Sequence, residues 1–346
     1  MAIVIMGIDL AKNVFQLHGI DDKGCATLRK RLSRARFLPF LANIPPCTIA
    51  IEACGSANHW ARKMRELGHS VRVISPQFVK PYVKSNKNDY NDAEAICEAV
   101  SRPGMRFVPI KGVEQQDVQT LHRIRERLIR ERTALVNQTR GILREYEIFV
   151  PVGIRALRSA IPRALEDAEN ELTALTRELV ADQYERLLDL DRRIAKCDQR
   201  IDAVFRNSRV CQRLAAIDGV GPMTATALVA AVGDVKEFQN GRHLAAWLGL
   251  VPRQRSSGER NRLLGISKRG NTYLRTLLIH GARSVVQRCS ARTDVRGRWI
   301  QSLRARRGFN RTCVALANNN ARALWALMVA EDAGRPATYG LVQTTP

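Results

Sequence analysis

The chain has 346 residues, with 56 Lys and Arg against 33 Asp and Glu, a formal net charge of +23, 45% hydrophobic and 5% aromatic residues. That apolar content builds two or three domains with their own cores and excludes a disordered protein, while the charge excludes an ordinary acidic cytosolic enzyme and points to a polyanionic partner, nucleic acid. No apolar run approaches the roughly 18 residues of a membrane span, and the N-terminus lacks a charged leader with a small-residue cleavage site, so a cytoplasmic protein is expected.

Residues 1 to about 110 alternate strands, near 3–8, 14–19, 25–31, 48–52 and 70–74, with helices near 34–43, 58–67 and 89–100, which is the pattern of an α/β domain. Acidic residues punctuate it. Asp9 closes Ile3-Val4-Ile5-Met6-Gly7-Ile8 and Glu52 closes Thr48-Ile49-Ala50-Ile51, whereas Asp89 and Asp92 open a helix three residues apart. Carboxylates at helix starts also act as ordinary caps. Asp9 resists that reading, because it ends an apolar strand that is followed by the amphipathic Val14-Phe15-Gln16-Leu17-His18, the hairpin opening of a ribonuclease H-like sheet. Four carboxylates converging on one sheet edge are costly to desolvate without a counter-charge and suit a divalent cation, Mg2+ or Mn2+, in phosphoryl transfer. The basic segment Lys80 to Asn88 reads as a loop near this site.

From about Glu114 to Phe205 the period lengthens. Leu121, Leu128, Leu135 and Ile142 recur every seven residues, as do Leu165, Leu172 and Leu179, then Leu187, Ile194 and Ile201. This predicts a long helical coiled-coil hairpin over 111–206, a device for spacing domains or joining protomers.

The third region, 207–335, reads as mainly α-helical, with a tail at 336–346. It opens with Ile217-Asp218-Gly219-Val220-Gly221-Pro222 before a small-residue helix. That is a helix-hairpin-helix signature, whose glycines Gly219 and Gly221 let backbone N–H groups approach a phosphate. The alternative is a plain packing unit. From Val251 to Arg311 sixteen Lys or Arg face two acidic residues, so the nucleic-acid surface belongs chiefly here. Its densest part holds Arg253, Arg255, Arg260, Arg262, Lys268, Arg269, Asn271 and Arg275 around Ser256-Ser257-Gly258. On its own that Ser-Ser-Gly is a flexible turn, since serine is a poor nucleophile without a base or metal to take its proton. The eight cysteines have no C-x-x-C pair and read as reduced thiols.

Taken in order, Gly7-Ile8-Asp9, Ile51-Glu52-Ala53, Asp89-x-x-Asp92, Gly219-Val220-Gly221, Leu248-Gly249-Leu250-Val251-Pro252 and Ile266-Ser267-Lys268-Arg269-Gly270-Asn271 resemble the DEDD transposases of IS110-like bacterial insertion sequences, most of all the IS1111-like subgroup, with the Piv-type DNA invertases as relatives. The resemblance implies a RuvC-like N-terminal domain with Asp9, Glu52, Asp89 and Asp92 as its metal-binding tetrad. It also implies a transposase domain whose nucleophile is Ser257, the residue before Gly258, with Ser256 not excluded by spacing. It further implies a covalent phosphoserine link, a structured noncoding guide RNA that pairs with donor and target DNA, and synapsis by a dimer of dimers. Two other readings stay open at this point. One is a RuvC-type junction endonuclease in which water attacks, and the other is a non-catalytic architectural protein.

Overall fold

The structure, a computed structural model, describes residues 2–84, 89–257 and 262–333, with Asp89 by its backbone alone. Two compact units result, Met1–Val113 and a second that begins at Glu114.

The first unit is built on a six-stranded sheet. Its strands are β1 (Ile5–Leu10), β2 (Val14–Ile20), β3 (Ala26–Ser33), β4 (Thr48–Glu52), β5 (Ser70–Ile74) and the two-residue β6 (Phe107–Val108), in the order β3-β2-β1-β4-β5-β6. Strand β2 runs antiparallel to both β1 and β3, β4 and β5 continue parallel to β1, and β6 is antiparallel to β5. Alternation sorts the side chains between two faces. Met6, Ile8, Phe15, Leu17, Ile49, Ile51, Val71 and Val73 form a core with α1 (Arg34–Ala42) and α2 (Ala57–Glu66), centred on Phe15, Phe37 and Trp60 stacked edge to face. On the opposite face Ala50 and Ile74 pack with Ala95, Ile96 and Ala99 of α4 (Asp89–Val100). The expected loop at 80–88 is preceded by the short helix α3 (Pro76–Val79) and opens as a single 3-10 turn, Lys80–Tyr82, which proline at N1 of α3 and again within the turn favours. Such a fold is consistent with a RuvC-like domain.

The second unit begins with α5 (Val113–Arg144), α6 (Ile154–Glu166) and α7 (Ala174–Arg206). Arg125 pairs with Asp198, Arg132 with Asp191 at 2.7 Å, and Tyr146 with Thr176 at 2.8 Å, so α5 and α7 run antiparallel. Their shared core holds Leu128, Leu135, Leu187 and Ile194 from the expected stripes. The ends of the stripes drift. His122 and Leu143 are buried beside Leu121 and Ile142, as 3.6 residues per turn slips against a repeat of seven. Leu165, Leu172 and Leu179 form no seam, because α6 stops at Glu166 and α7 starts at Ala174. Leu179 is exposed and Val180 takes its place in the core.

The remaining elements are α8 (Arg209–Leu214), α9 (Pro222–Val232), α10 (Gly241–Trp247), the ribbon of β7 (Pro252–Gln254) and β8 (Leu263–Ile266), α11 (Thr272–Gln287), α12 (Val295–Arg307) and α13 (Phe309–Asp332). Leu274, Leu278 and Ala282 of α11 meet Leu316, Ala317, Ala321 and Leu324 of α13 in its core.

Candidate active-site residues

Strands β1 and β4 pair in parallel through Ile8↔Ile51, so Asp9 and Glu52, one residue further on each, stand side by side. Both share the face of Gly7 and Ala50, the face that α4 covers. A Cβ on Gly7 would lie 2.3 Å from the Ala93 carbonyl oxygen and 2.7 Å from the Cys97 amide nitrogen, so the helix backbone rests directly on the strand. That approach brings the N-terminal turn of α4, with half-buried Asp92, to the edge holding Asp9 and Glu52. The small residues of this face are what permit the close approach of α4. The Asp89 side chain lies outside the described residues.

Other residues share this face and were not singled out from sequence. Across β1 and β2, Asp9 pairs with Gln16 and Gly7 with His18; across β2 and β3, Gln16 pairs with Arg31 and His18 with Arg29. Gln16 is 4% exposed and its Oε1 has no hydrogen-bond partner among the described residues. An orphaned buried oxygen of this kind costs about 1–3 kcal/mol. Burial lowers the His18 pKa, with Glu94 opposing and Arg29 and Lys84 adding to the effect. Glu94 itself is held at 3.6 Å by both Arg29 and Lys84. Burial pushes the Cys97 thiol up to about 11, which keeps it inert beside the carboxylates. The signal for Gln16 and His18 was their alternation with Phe15 and Leu17.

The donor chemistry of the edge, carboxylates and an amide oxygen, fits Mg2+ or Mn2+. Among the described residues no three His, Cys, Asp or Glu side chains are grouped tightly enough to hold a metal ion.

In the second unit, the turn 217–221 links α8 to α9. Gly219 has φ +84° and a Cβ there would lie 2.8 Å from the Gly281 carbonyl carbon and oxygen, while one on Gly281 would lie 1.8 Å from the Gly219 oxygen. Gly219 therefore packs directly against the backbone of α11. Gly221, with open space around it, caps α9. Arg292 grips the turn from outside, donating to Asp218 Oδ2 at 2.6 Å and to both Asp294 oxygens at 2.9 Å.

The ribbon β7–β8 projects Arg253, Arg255 and Arg262 into solvent, as the segment after it does Lys268 and Arg269. Ser256 and Ser257 are both exposed; Gln254 Nε2 donates to Ser256 Oγ at 2.9 Å. Arg260 and Gly258 lie outside the described residues. The base of the ribbon is a knot. Ser267 N donates to Val251 O at 2.8 Å and Lys268 N to Gly249 O at 3.2 Å. A Cβ on Gly249 would stand 2.1 Å from Arg269 O, and one on Gly270 1.8 Å from Trp247 O. Lys268 adopts φ +54°, a strained backbone for a side-chain-bearing residue.

Two residues expected to contact nucleic acid belong to this knot. Arg275 is 8% exposed, and its guanidinium donates to Leu248 O, Arg269 O and Thr272 Oγ1, each at 3.1 Å. The Asn271 side chain accepts from Leu274 N at 3.1 Å as the N-cap of α11. Arg275 thus closes the base of the ribbon, and Asn271 starts the helix that follows it.

Buried His122 of α5 joins the hairpin to this region. Its Nε2 lies 3.0 Å from Thr226 Oγ1 and its Nδ1 3.0 Å from the Tyr273 hydroxyl. Because the Thr226 hydroxyl donates to Pro222 O at 2.7 Å, it accepts from Nε2–H, which leaves Nδ1 to accept from Tyr273. Burial, reinforced by Arg125, lowers the His122 pKa to about 4, so the imidazole is neutral.

Known proteins bear directly on these residues. The transposase family of DEDD type from IS110 matches residues 6–148, and the family described as "Transposase IS116/IS110/IS902 family" matches residues 211–296. A probable family 20 transposase of Pseudomonas aeruginosa is 52% identical over 96% of this chain and 98% of its own. The transposase for insertion sequence element IS1111A of Coxiella burnetii is 47% identical over 96% and 92%, and that for IS1328 of Yersinia enterocolitica 40% identical over 94% and 96%. With relatives matched along nearly the full length of both chains, the protein belongs to the IS110/IS1111 family of insertion-sequence transposases, whose activity is DNA cleavage and strand transfer.

Proposed function

We propose that the protein recombines the DNA of its insertion sequence by a covalent serine mechanism at a metal-assisted acidic site. Asp9, Glu52, Asp89 and Asp92 hold Mg2+ or Mn2+, which when bound polarises the scissile phosphate. Ser257 Oγ attacks phosphorus. The Oγ–P bond forms, the bond from phosphorus to one sugar oxygen breaks, and the serine proton passes through a carboxylate of the acidic set to the departing oxygen. The resulting phosphoserine ester conserves the bond energy, so a second sugar hydroxyl rejoins the strand by the reverse steps with no external energy source. The exposed Arg253, Arg255, Arg262, Lys268 and Arg269, with Arg260, hold phosphates and stabilise the charge that builds on them.

The single observation that carries this reading is the register of β1 and β4, which sets Asp9 beside Glu52 under α4. Exposure of Ser257 on an arginine-lined ribbon supports its role. The reading extends to partners. A structured RNA supplies sequence specificity by base pairing with donor and target DNA, in keeping with the scarcity of aromatics for base stacking, and the helical hairpin joins protomers into dimers that synapse as tetramers.

The test is to incubate the protein with element-end DNA, its flanking transcript and Mg2+, denature, and look for a protein–DNA adduct. Wild type forms one, mapped by mass spectrometry to Ser257. Ser257→Ala forms none, and Ser256→Ala retains it. Cleavage without any adduct replaces this mechanism with hydrolysis by water, and loss of all metal-dependent cleavage in every condition leaves only a binding role.

A further inference from the structure

We infer that Gln16 is an additional oxygen donor to the divalent cation at the acidic edge, lying beside Asp9 and opposite Glu52. The inference rests on the metal-site reading proposed above. The geometry starts from strand register. Gln16 faces Asp9 directly across the antiparallel pair β1–β2, which sets their Cβ atoms about 4.5–5.5 Å apart, and Glu52 flanks Asp9 on the other side. The three side chains therefore form one row across β2, β1 and β4, on the face that α4 covers. Strand alternation commits Gln16 to that face, because Phe15 and Leu17 are locked in the opposite core.

The chemistry starts from an unmet requirement. Gln16 is 4% exposed and its amide oxygen is buried without a hydrogen-bond partner among the described residues. Buried polar atoms in native proteins nearly always have partners, and an exception next to a set of carboxylates calls for a group that is positive or donates a proton. A hard divalent cation meets this requirement. Such ions take mixed sets of Asp and Glu carboxylates with Asn or Gln carbonyl oxygens, and a neutral oxygen completes the shell without adding to the repulsion among the acids. Arg31, the neighbour of Gln16 on β3, is exposed at the far end of the row.

The test is Mn2+ and Mg2+ titration of the full-length, metal-free protein in the absence of DNA, by calorimetry and by manganese electron paramagnetic resonance. Gln16→Met keeps the volume and removes the oxygen; Gln16→Glu keeps the oxygen and adds a charge; Asp9→Asn is the control. Wild type binds, Asp9→Asn loses binding, and Gln16→Met binds Mn2+ about 10-fold to 100-fold more weakly while the metal-free variant melts no lower than wild type. Gln16→Glu binds more tightly. Metal affinity within twofold of wild type in both Gln16 variants, with Asp9→Asn still defective, overturns the role of Gln16 and leaves the acidic site standing. Wild-type protein that takes up no more Mn2+ than Asp9→Asn overturns both. If Gln16→Met does not fold, the Glu variant decides, and an unchanged affinity there counts against the inference.

Discussion

The Arg275 guanidinium donates to the Leu248 carbonyl at 3.1 Å, across the base of the serine ribbon. Its two further acceptors, Arg269 O and Thr272 Oγ1, come from the segment that enters α11. An arginine so placed fixes the base of the ribbon that carries Ser257. Arg275→Ala is expected to destabilise the protein by about 2–4 kcal/mol, since it orphans two backbone carbonyls in the knot. Urea unfolding measures this. A variant as stable as wild type would contradict the packing argument.

The exposed cations behave differently. Replacing Arg253, Arg255, Lys268 and Arg269 by Gln leaves the unfolding midpoint nearly unchanged, because surface substitutions fall within about 0.5 kcal/mol each. DNA affinity falls, and the slope of log affinity against log salt drops by about 0.9 for each phosphate contact removed. Arg275→Lys keeps the wild-type slope. Should Arg275→Lys flatten the slope as the surface variants do, Arg275 is a DNA contact after all.

Gly7 admits no side chain. Gly7→Ala forces its new methyl against the Ala93 carbonyl and the Cys97 amide, both backbone, so α4 must move. The expected loss is about 1–3 kcal/mol, with a larger fall in metal-dependent cleavage, as Asp92 moves with the helix. Gly141→Ala is the control. Its Cβ meets nothing within 4 Å on an exposed face of α5, and the exchange should raise stability by about 0.5–1 kcal/mol. Calorimetric melting and cleavage of element-end DNA, run on both variants, separate the two effects.

His122 sets a pH dependence. Its pKa of about 4 in the folded protein lies below the value near 6.5 of an unfolded chain, so between these the unfolded state binds more protons and stability rises with pH. The contribution is complete above about pH 6.5 and declines as pH falls toward 4. Protonation also places a donor on Nδ1, where Tyr273 needs an acceptor. Between pH 7 and 4.5 wild type should lose about 2 kcal/mol more than His122→Gln, whose amide offers the same donor and acceptor without titrating. Parallel pH profiles for the two proteins would refute the assignment.

Much of the first unit was legible because its strands are short, apolar and alternating, and Asp9 and Glu52 stood out as charges ending such strands. Alternation tells that Gln16 and His18 share a face, but not that α4 covers it; that depends on Gly7 and Ala50, whose smallness matters only once the sheet is assembled. Strand β6, with two residues, has no period to read. In the second unit the heptad stripe found Leu128, Leu135, Leu187 and Ile194 but ran through the break between α6 and α7, where Leu165, Leu172 and Leu179 kept a spacing that the chain does not honour. Residue type alone did not tell that Arg275 closes the base of the ribbon or that Asn271 caps α11. A basic cluster gives net charge, and only the fold separates guanidiniums that reach solvent from the one that closes a turn.

The contact of Gly219 with Gly281 has a mechanical meaning. Side chains yield under load by changing rotamer, but two backbones in contact have no such slack. From Gly281 the rigid rod of α11 runs back to its cap at Asn271 and the knot under the serine ribbon, a span of about 15 Å at 1.5 Å per residue. The interval between the glycine turn and the ribbon is therefore gauged by helix rise. Arginines on either surface can be exchanged without altering it, whereas one methyl group at Gly219 or Gly281 resets it.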